Sequence, residues 1–489
     1  MDNLFSNTDS SLLKTNIERI NDQIKLKQND IFKPTLHERL KIHNIILDFI
    51  KKNKRKVYGG YAVNKLLISK GCEPIYKDHE IPDIDFYSID PNSDVINLCN
   101  ILFDSGYIRV SAREAKHQNT YSIFVNFDLY CDITYMPSNI YKKTPYITIE
   151  DIIYVNPNFM IIDYLRMITD PLNSYWRIEK SFSRLIKLLE YFPLSKFNKE
   201  IEIGETENDF HIKNSIDIIL DNIKNKDIIV TGFYAYNYFL EKSKFTEKNK
   251  KIKKLNVPYL EIISKNYKED FDSILKRLKE IYPDRINHTE FNPFFIFNGH
   301  SVEVYLDGEL ILIMYDYQKR CHPFITYNNI KIGTLSLTLM YAQINVIKYR
   351  VLDDENFKLI YMIMVSHLIQ MKNYYLSKNK KTIFDETPFK DFVIDCISSD
   401  VNPDHEQLLK FEQRRAQNKP AMFIYDPSKN RKEKKDEKFF FANISGNEIQ
   451  NEKRLKLKEG NVSDDRSECT EEEVLEVLEV EEILDDNIY

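Results

Sequence analysis

Apolar residues in PTLHERLKIHNIILDFIKKN, residues 34–53, recur at the spacing of a helix with one buried face. RKVY then reads as a short strand, Gly59-Gly60 as a tight turn, and YAVNKLLISK as a helix closed by Gly71. The β-branched and aromatic content of IDFYSI and of YSIFVNFDLYCDITYM predicts further strands. Two helical patterns follow, NPNFMIIDYLRMIT and SYWRIEKSFSRLIKLLEYF.

The second half repeats this order in weakened form. DIIVTGFYAYNYFLEK matches RKVYGGYAVNKLLISK as strand, glycine turn, aromatic, Ala, Asn and helix. VPYLEIIS matches IPDIDFYS, with Tyr259 in place of Asp83 and Glu261 in place of Asp85. HSVEVYL is matched to LYCDITYM, which puts Glu303 where Asp132 stands, and two helical segments close the repeat. The expected organisation is an N-terminal segment over 1–33 and a first copy with trailing helices over 34–200. A degenerate second copy spans 201–400, and an extension spans 401–489, disordered from about residue 443.

Asp83 and Asp85 interrupt an apolar stretch. On a strand they project from one face ~7 Å apart, where two unpaired carboxylates would repel each other and lose solvation. A hard divalent cation, Mg²⁺ or Mn²⁺, removes both penalties. A third acid on a neighbouring strand completes a site for two ions, and Asp132 is the choice, with Asp128 on the same face as runner-up. Gly59 and Gly60, free of Cβ atoms and leading into a helix N-terminus, let backbone N–H groups approach a phosphate. Neither D-x-D nor GG is specific alone; strand, GG, helix, D-x-D strand and a further acidic strand in that order is much more so.

Charge has to be judged locally. The formal net charge of −6 becomes +4 once the ten acids of residues 468–489 are set aside. Arg177, Lys180, Arg184 and Lys187 form one basic stripe on a helix. Lysines crowd KSKFTEKNKKIKK, of which Lys250, Lys251, Lys253 and Lys254 are candidate contacts to a nucleic-acid backbone, together with Lys319 and Arg320 beside Tyr315 and Tyr317. KKNKRK before the first strand is a second cluster of this kind. Six scattered cysteines offer no metal-ligand spacing and argue against a disulfide framework. The polar N-terminus and the short apolar runs fit a soluble intracellular protein.

GGYAVNKLL, PDIDFYS and CDITYM together resemble the nucleotidyltransferase superfamily of DNA polymerase β and the poly(A) polymerases. The resemblance is nearest to the poly(A) polymerase catalytic subunit of large cytoplasmic DNA viruses, of poxvirus and giant-virus type, over residues 35–400. It implies an α+β fold with a polymerase-β-like catalytic domain and a degenerate second one. It implies Asp83, Asp85 and Asp132 as catalytic ligands of two Mg²⁺ or Mn²⁺ ions. Gly59, Gly60, Tyr61, Asn64, Arg177, Lys180 and Arg184 would then hold ATP. The implied activity is template-independent addition of AMP to RNA 3′ ends, in the infected-cell cytoplasm and in the virion. Self-association or a helper methyltransferase subunit would supply processivity. Two departures stand out: the long interval between Gly60 and Asp83, and Tyr61 where Ser is frequent. CCA- or uridylyl-adding activity is the alternative within the class; a non-catalytic RNA-binding scaffold is the alternative outside it.

Overall fold

The computed structural model describes residues 4–117, 119–203 and 209–431. The acidic tail and its expected disorder lie outside the described residues. Two helices lead the chain, α1 (Asn7–Ile31) and α2 (Leu36–Lys52). The second opens on a capping box, with the Thr35 amide donating to Glu38 at 2.7 Å.

The first copy then runs β1 (Lys56–Tyr58), α3 (Gly59–Ile68), β2 (Ile84–Ser88), α4 (Pro91–Asp104), β3 (Val110–Glu114), β4 (Thr120–Val125) and β5 (Asp128–Tyr135). It continues through α5 (Ser138–Lys143), β6 (Tyr146–Ile149), β7 (Ile152–Val155), α6 (Pro157–Ile168), α7 (Pro171–Ser174) and α8 (Ile178–Tyr191). The stretch YSIFVNFDLYCDITYM folds as the hairpin β4–β5. Asn126 and Phe127 both take positive φ at its tip, as a two-residue hairpin turn requires. Alternation sorts β2: Phe86 reaches Phe49 of α2, whereas Tyr87 stacks edge-on against Phe159 of α6. Asp83 and Asp85 share the parity of Tyr87 and so emerge on the α6 side.

The second copy comprises α9 (Asp209–Ile223), β8 (Ile228–Thr231), α10 (Gly232–Ser243), β9 (Leu260–Ser264), α11 (Tyr267–Ile281), β10 (Ile286–Phe291), β11 (Ser301–Leu306) and β12 (Glu309–Asp316). β13 (His322–Tyr327), β14 (Ile330–Gly333), α12 (Leu335–Val351) and α13 (Glu355–Asn379) complete it. The chain ends, as described, with β15 (Cys396–Ile397), α14 (Pro403–Ala416), β16 (Ile424–Tyr425) and α15 (Pro427–Asn430).

The sheets share one plan. The first has the order β16-β3-β4-β5-β2-β1-β7-β6 and the second β10-β11-β12-β9-β8-β14-β13-β15. With the added edge strands β16 and β15 set aside, pairing directions agree over the seven shared strands, including parallel β2–β5 and β9–β12. A register shift falls at the same place in the β4–β5 and β11–β12 pairs. This frame corrects the match of Glu303 to Asp132. The counterpart of β5 is β12, where Ile313 faces Glu261 as Asp132 faces Asp85. Glu303 lies on β11 opposite Ile313 and so takes the place of Ser122, which is opposite Asp132 on β4.

The extension folds back on the first copy. β16 pairs with β3, and Glu114 accepts from both Lys410 and Arg414, at 3.0 and 2.7 Å. β15 covers the outer edge of β13. Cys321 and Cys396 are joined by a disulfide across this pairing, contrary to the expectation from their spacing. Seventy-five residues separate them in sequence, and only the β13–β15 contact makes them neighbours. The two copies are tied by Asp170, which accepts from the Cys321 amide at 3.0 Å and from Arg320 at 3.4 Å. Among the described residues no helix is long and apolar enough to cross a membrane.

Glu261 is fully buried, and its oxygens accept from Tyr361 at 2.6 Å, Asn345 at 2.8 Å and Tyr315 at 3.4 Å. Burial raises its pKa, and these donors oppose the rise. Replacing it by Leu strands three interior donors, at a cost of about 2–4 kcal/mol. Glu261→Leu should therefore lower the thermal unfolding midpoint by several degrees; an unchanged midpoint would mean that these bonds contribute nothing.

Candidate active site

Parallel pairing of β2 with β5 sets Asp85 directly opposite Asp132. Asp83 stands just ahead of β2, and ligand oxygens of all three lie within 4.8 Å of one another. Asp83 is the most exposed of them. Asp85 is recessed, and its pKa is driven well up by desolvation and then by the charges of Asp83 and Asp132. Asp132 is pushed up to about 6 by burial and by Asp83, against a 2.6 Å hydrogen bond from Ser122 Oγ and the charge of Arg177. Three hard oxygen donors, of which Asp85 and Asp132 have their ionised forms disfavoured by burial and neighbouring charge, fit a divalent cation, which reverses that penalty. Asp128, the runner-up, is engaged elsewhere, accepting from Arg39 at 2.7 Å.

Gly59 begins α3 at φ +72°, and a Cβ there would come within 1.9 Å of Asp85 Oδ2. Only glycine allows both the left-handed backbone and this approach of the helix N-terminus to the acid. Gly232 repeats the arrangement against Glu261, at φ +63° and 2.2 Å. A Cβ on Gly60 would instead meet Tyr76 Oη at 2.2 Å and Arg184 Nη1 at 2.9 Å.

The basic stripe faces the same region. Arg177 and Arg184 both lower the pKa of Asp85, and the Lys180 ammonium feels Asp83 and Glu80. Lys180, Arg184 and Lys187 line a cavity of about 700 Å³, with Lys25 of α1, Arg39 and Tyr76 on its other walls. Ser122 and Tyr76 carry no local signal in the sequence. Ser122 is visible only once β4 is placed beside β5, and Tyr76 only once the α3–β2 connection is folded over Gly60.

Several expectations are corrected. The Tyr61 ring is 5% exposed and packs edge-on against His43, so it lines the core and not a nucleotide pocket. Asn64 clips the connection after α3, its Oδ1 accepting from the Ile75 amide at 2.8 Å, as Asn237 does from the Leu255 amide at 2.9 Å. Arg320 is held in the interior by Asp170 and the Arg166 carbonyl, which removes it from RNA contact. Tyr315 is buried against Glu261. In KKNKRK, Arg55 is paired with Asp94 and Lys56 is buried on the Thr144 carbonyl. Lys250, Lys251, Lys253 and Lys254 are exposed, and Lys319 is exposed in a 2.8 Å pair with Glu406.

The chain is similar to several known proteins. Residues 44–174 match the family model for poly(A) polymerase catalytic subunit, and residues 187–459 match the model for the C-terminal part of that subunit of APMV type. A protein of Acanthamoeba polyphaga mimivirus assigned as poly(A) polymerase catalytic subunit is 32% identical, over 96% of this chain and 88% of its own. An African swine fever virus protein assigned in the same way is 27% identical over 46% of each chain. The crystal structure of the Megavirus polyadenylate synthase superimposes with a TM-score of 0.83 at 31% identity, covering 95% of this chain and 92% of that one.

Gly59→Ala and Asp85→Ala should both abolish Mn²⁺ binding, followed by electron paramagnetic resonance. Gly71→Ala is the control: its φ of +80° imposes the same backbone strain, but nothing lies within 4 Å of its Cβ. Retained Mn²⁺ binding in Gly59→Ala would remove this glycine from the site.

Proposed function

The chain belongs to the poly(A) polymerase catalytic subunit family, and from that premise we propose that Asp83, Asp85 and Asp132 carry its chemistry. It is a polynucleotide adenylyltransferase, adding AMP from ATP to RNA 3′ ends. The reading of the site is carried by one observation, the three carboxylates gathered within 4.8 Å beside a glycine-initiated helix.

The acids suit two Mg²⁺ or Mn²⁺ ions, which when bound would activate the attacking hydroxyl and neutralise charge on the leaving pyrophosphate. The RNA 3′-hydroxyl attacks the α-phosphate in line. Asp132 is assigned to receive its proton: Ser122 occupies Oδ1, leaving Oδ2 for the hydroxyl. The N-terminus of α3 presents backbone N–H groups to the phosphates. Arg177, Lys180 and Arg184 hold the polyphosphate, with Arg suited to bidentate contact. Lys250, Lys251, Lys253, Lys254 and Lys319 are assigned to salt-dependent contact with the RNA backbone.

As a viral tailing enzyme it would act in the infected-cell cytoplasm and be packaged in the virion. Processivity is assigned to self-association or to a helper subunit, and sedimentation of the active fraction distinguishes these.

Purified protein given Mg²⁺ or Mn²⁺, a short single-stranded RNA and each NTP in turn should extend the RNA with ATP alone. Asp83→Ala/Asp85→Ala should lose about 10³-fold or more in rate. Extension with another nucleotide would change the substrate assignment, and an active double variant would remove these acids from the chemistry.

A further inference from the structure

The connection from α3 to β2 is held down at both ends of its path over the cavity. Asn64 fixes Ile75 through its amide. Beyond it, α1 grips the chain, with Lys77 on Asp22 at 2.6 Å, Asn29 Nδ2 on the His79 carbonyl at 2.9 Å and Lys25 on Glu80 at 3.2 Å. Between these clamps stands Tyr76. Its hydroxyl accepts from Arg184 Nη2 at 2.8 Å, and the guanidinium carbon lies 5.2 Å from its ring centroid.

We propose that Tyr76 is the positioning residue that holds the Arg184 guanidinium over Gly60, aimed at the polyphosphate of ATP. The inference rests on the reading above that Arg184 faces that polyphosphate.

Three observations support it. Gly60 is required by the pair itself, since a Cβ would strike both the phenol oxygen and the guanidinium. The partner is a neutral phenol, so Arg184 is oriented without having its charge neutralised, as a carboxylate partner would do. The second copy provides an internal comparison. Asn237 keeps the equivalent clip, now on Leu255, but the next residue is Asn256 instead of tyrosine. The counterpart of Gly60 is Phe233, fully buried in the space that the pair would need. The clip is thus common to both copies, whereas tyrosine, arginine and second glycine occur together only beside the intact acids. Holding in place a side chain that would otherwise lose rotamer entropy on binding is the physical benefit.

The test compares wild type, Tyr76→Phe, Arg184→Ala and the double variant. It measures KM for ATP and kcat at saturating RNA, binding of ATP and of adenosine without RNA, and the unfolding midpoint. Tyr76→Phe keeps the ring and removes the hydroxyl. It should raise KM for ATP about three- to tenfold with kcat nearly unchanged. Adenosine binding should not change, and Tyr76→Phe should add nothing to Arg184→Ala. Gly60→Ala, which forces the pair apart, should give the same signature. A wild-type KM in Tyr76→Phe, or additive effects in the double variant, would overturn the inference. If Arg184→Ala itself leaves KM unchanged, the assignment of Arg184 to the polyphosphate fails, and the inference falls with it.

Discussion

Asp85 faces Asp132 because β2 and β5 run parallel in one register, and everything at the site is arranged around that opposition. A slip by one residue would turn either acid to the other face of the sheet and replace it with a core side chain. Burial and then neighbouring carboxylate charge raise the pKa of Asp85 and of Asp132, and the hydrogen bond and arginines nearby offset this only in part. Ser122 donates to one oxygen, and Arg177 at the N-cap of α8 and Arg184 on that helix contribute charge. Gly59 brings the start of α3 against Asp85. The remaining repulsion is what gives such a site its affinity for divalent cations.

The second copy shows how much of this arrangement is scaffold. Strand order, pairing directions, the register shift and the Asn clip all recur, with no three-acid cluster there among the described residues. Ile313 stands opposite Glu261, and Glu261 is sealed by Tyr361, Asn345 and Tyr315. Glu303, at the position of Ser122, is bound by Lys348 at 2.7 Å. The frame depends on buried apolar faces and backbone pairing, so the acids can be lost without losing it. Gly232 is retained because a large carboxylate still presses on it; Gly60 has become Phe233 because nothing there needs the space.

Contacts distant in sequence complete the first copy. α1 buttresses the α3–β2 connection, and the β16 segment extends the sheet beyond β3 and satisfies Glu114 through α14. Asp170 locks the copies together by taking Arg320 and the Cys321 amide, which is why a residue that looks like an RNA contact in the sequence is structural.

Local pattern was sufficient for α2, β1, α3, β2, the strands β4 and β5, and the helices α6 and α8. Period-3.6 and period-2 apolar spacing marks the helices and strands, and the order of GG, D-x-D and a third acidic strand marks the site, because these depend on near neighbours along the chain. The internal repeat was legible as well, from the glycine turn, Ala and Asn of its best-kept segment. What only the tertiary structure decided is what depends on which strands lie side by side. β4–β5 pairing brought Ser122 to Asp132, and β9–β12 pairing made Ile313, not Glu303, the counterpart of Asp132. β13–β15 pairing joined Cys321 to Cys396. Tyr61, Arg320 and Tyr315 carry side chains that suit a ligand equally well, and they were assigned to the interior only by what the fold packs against them.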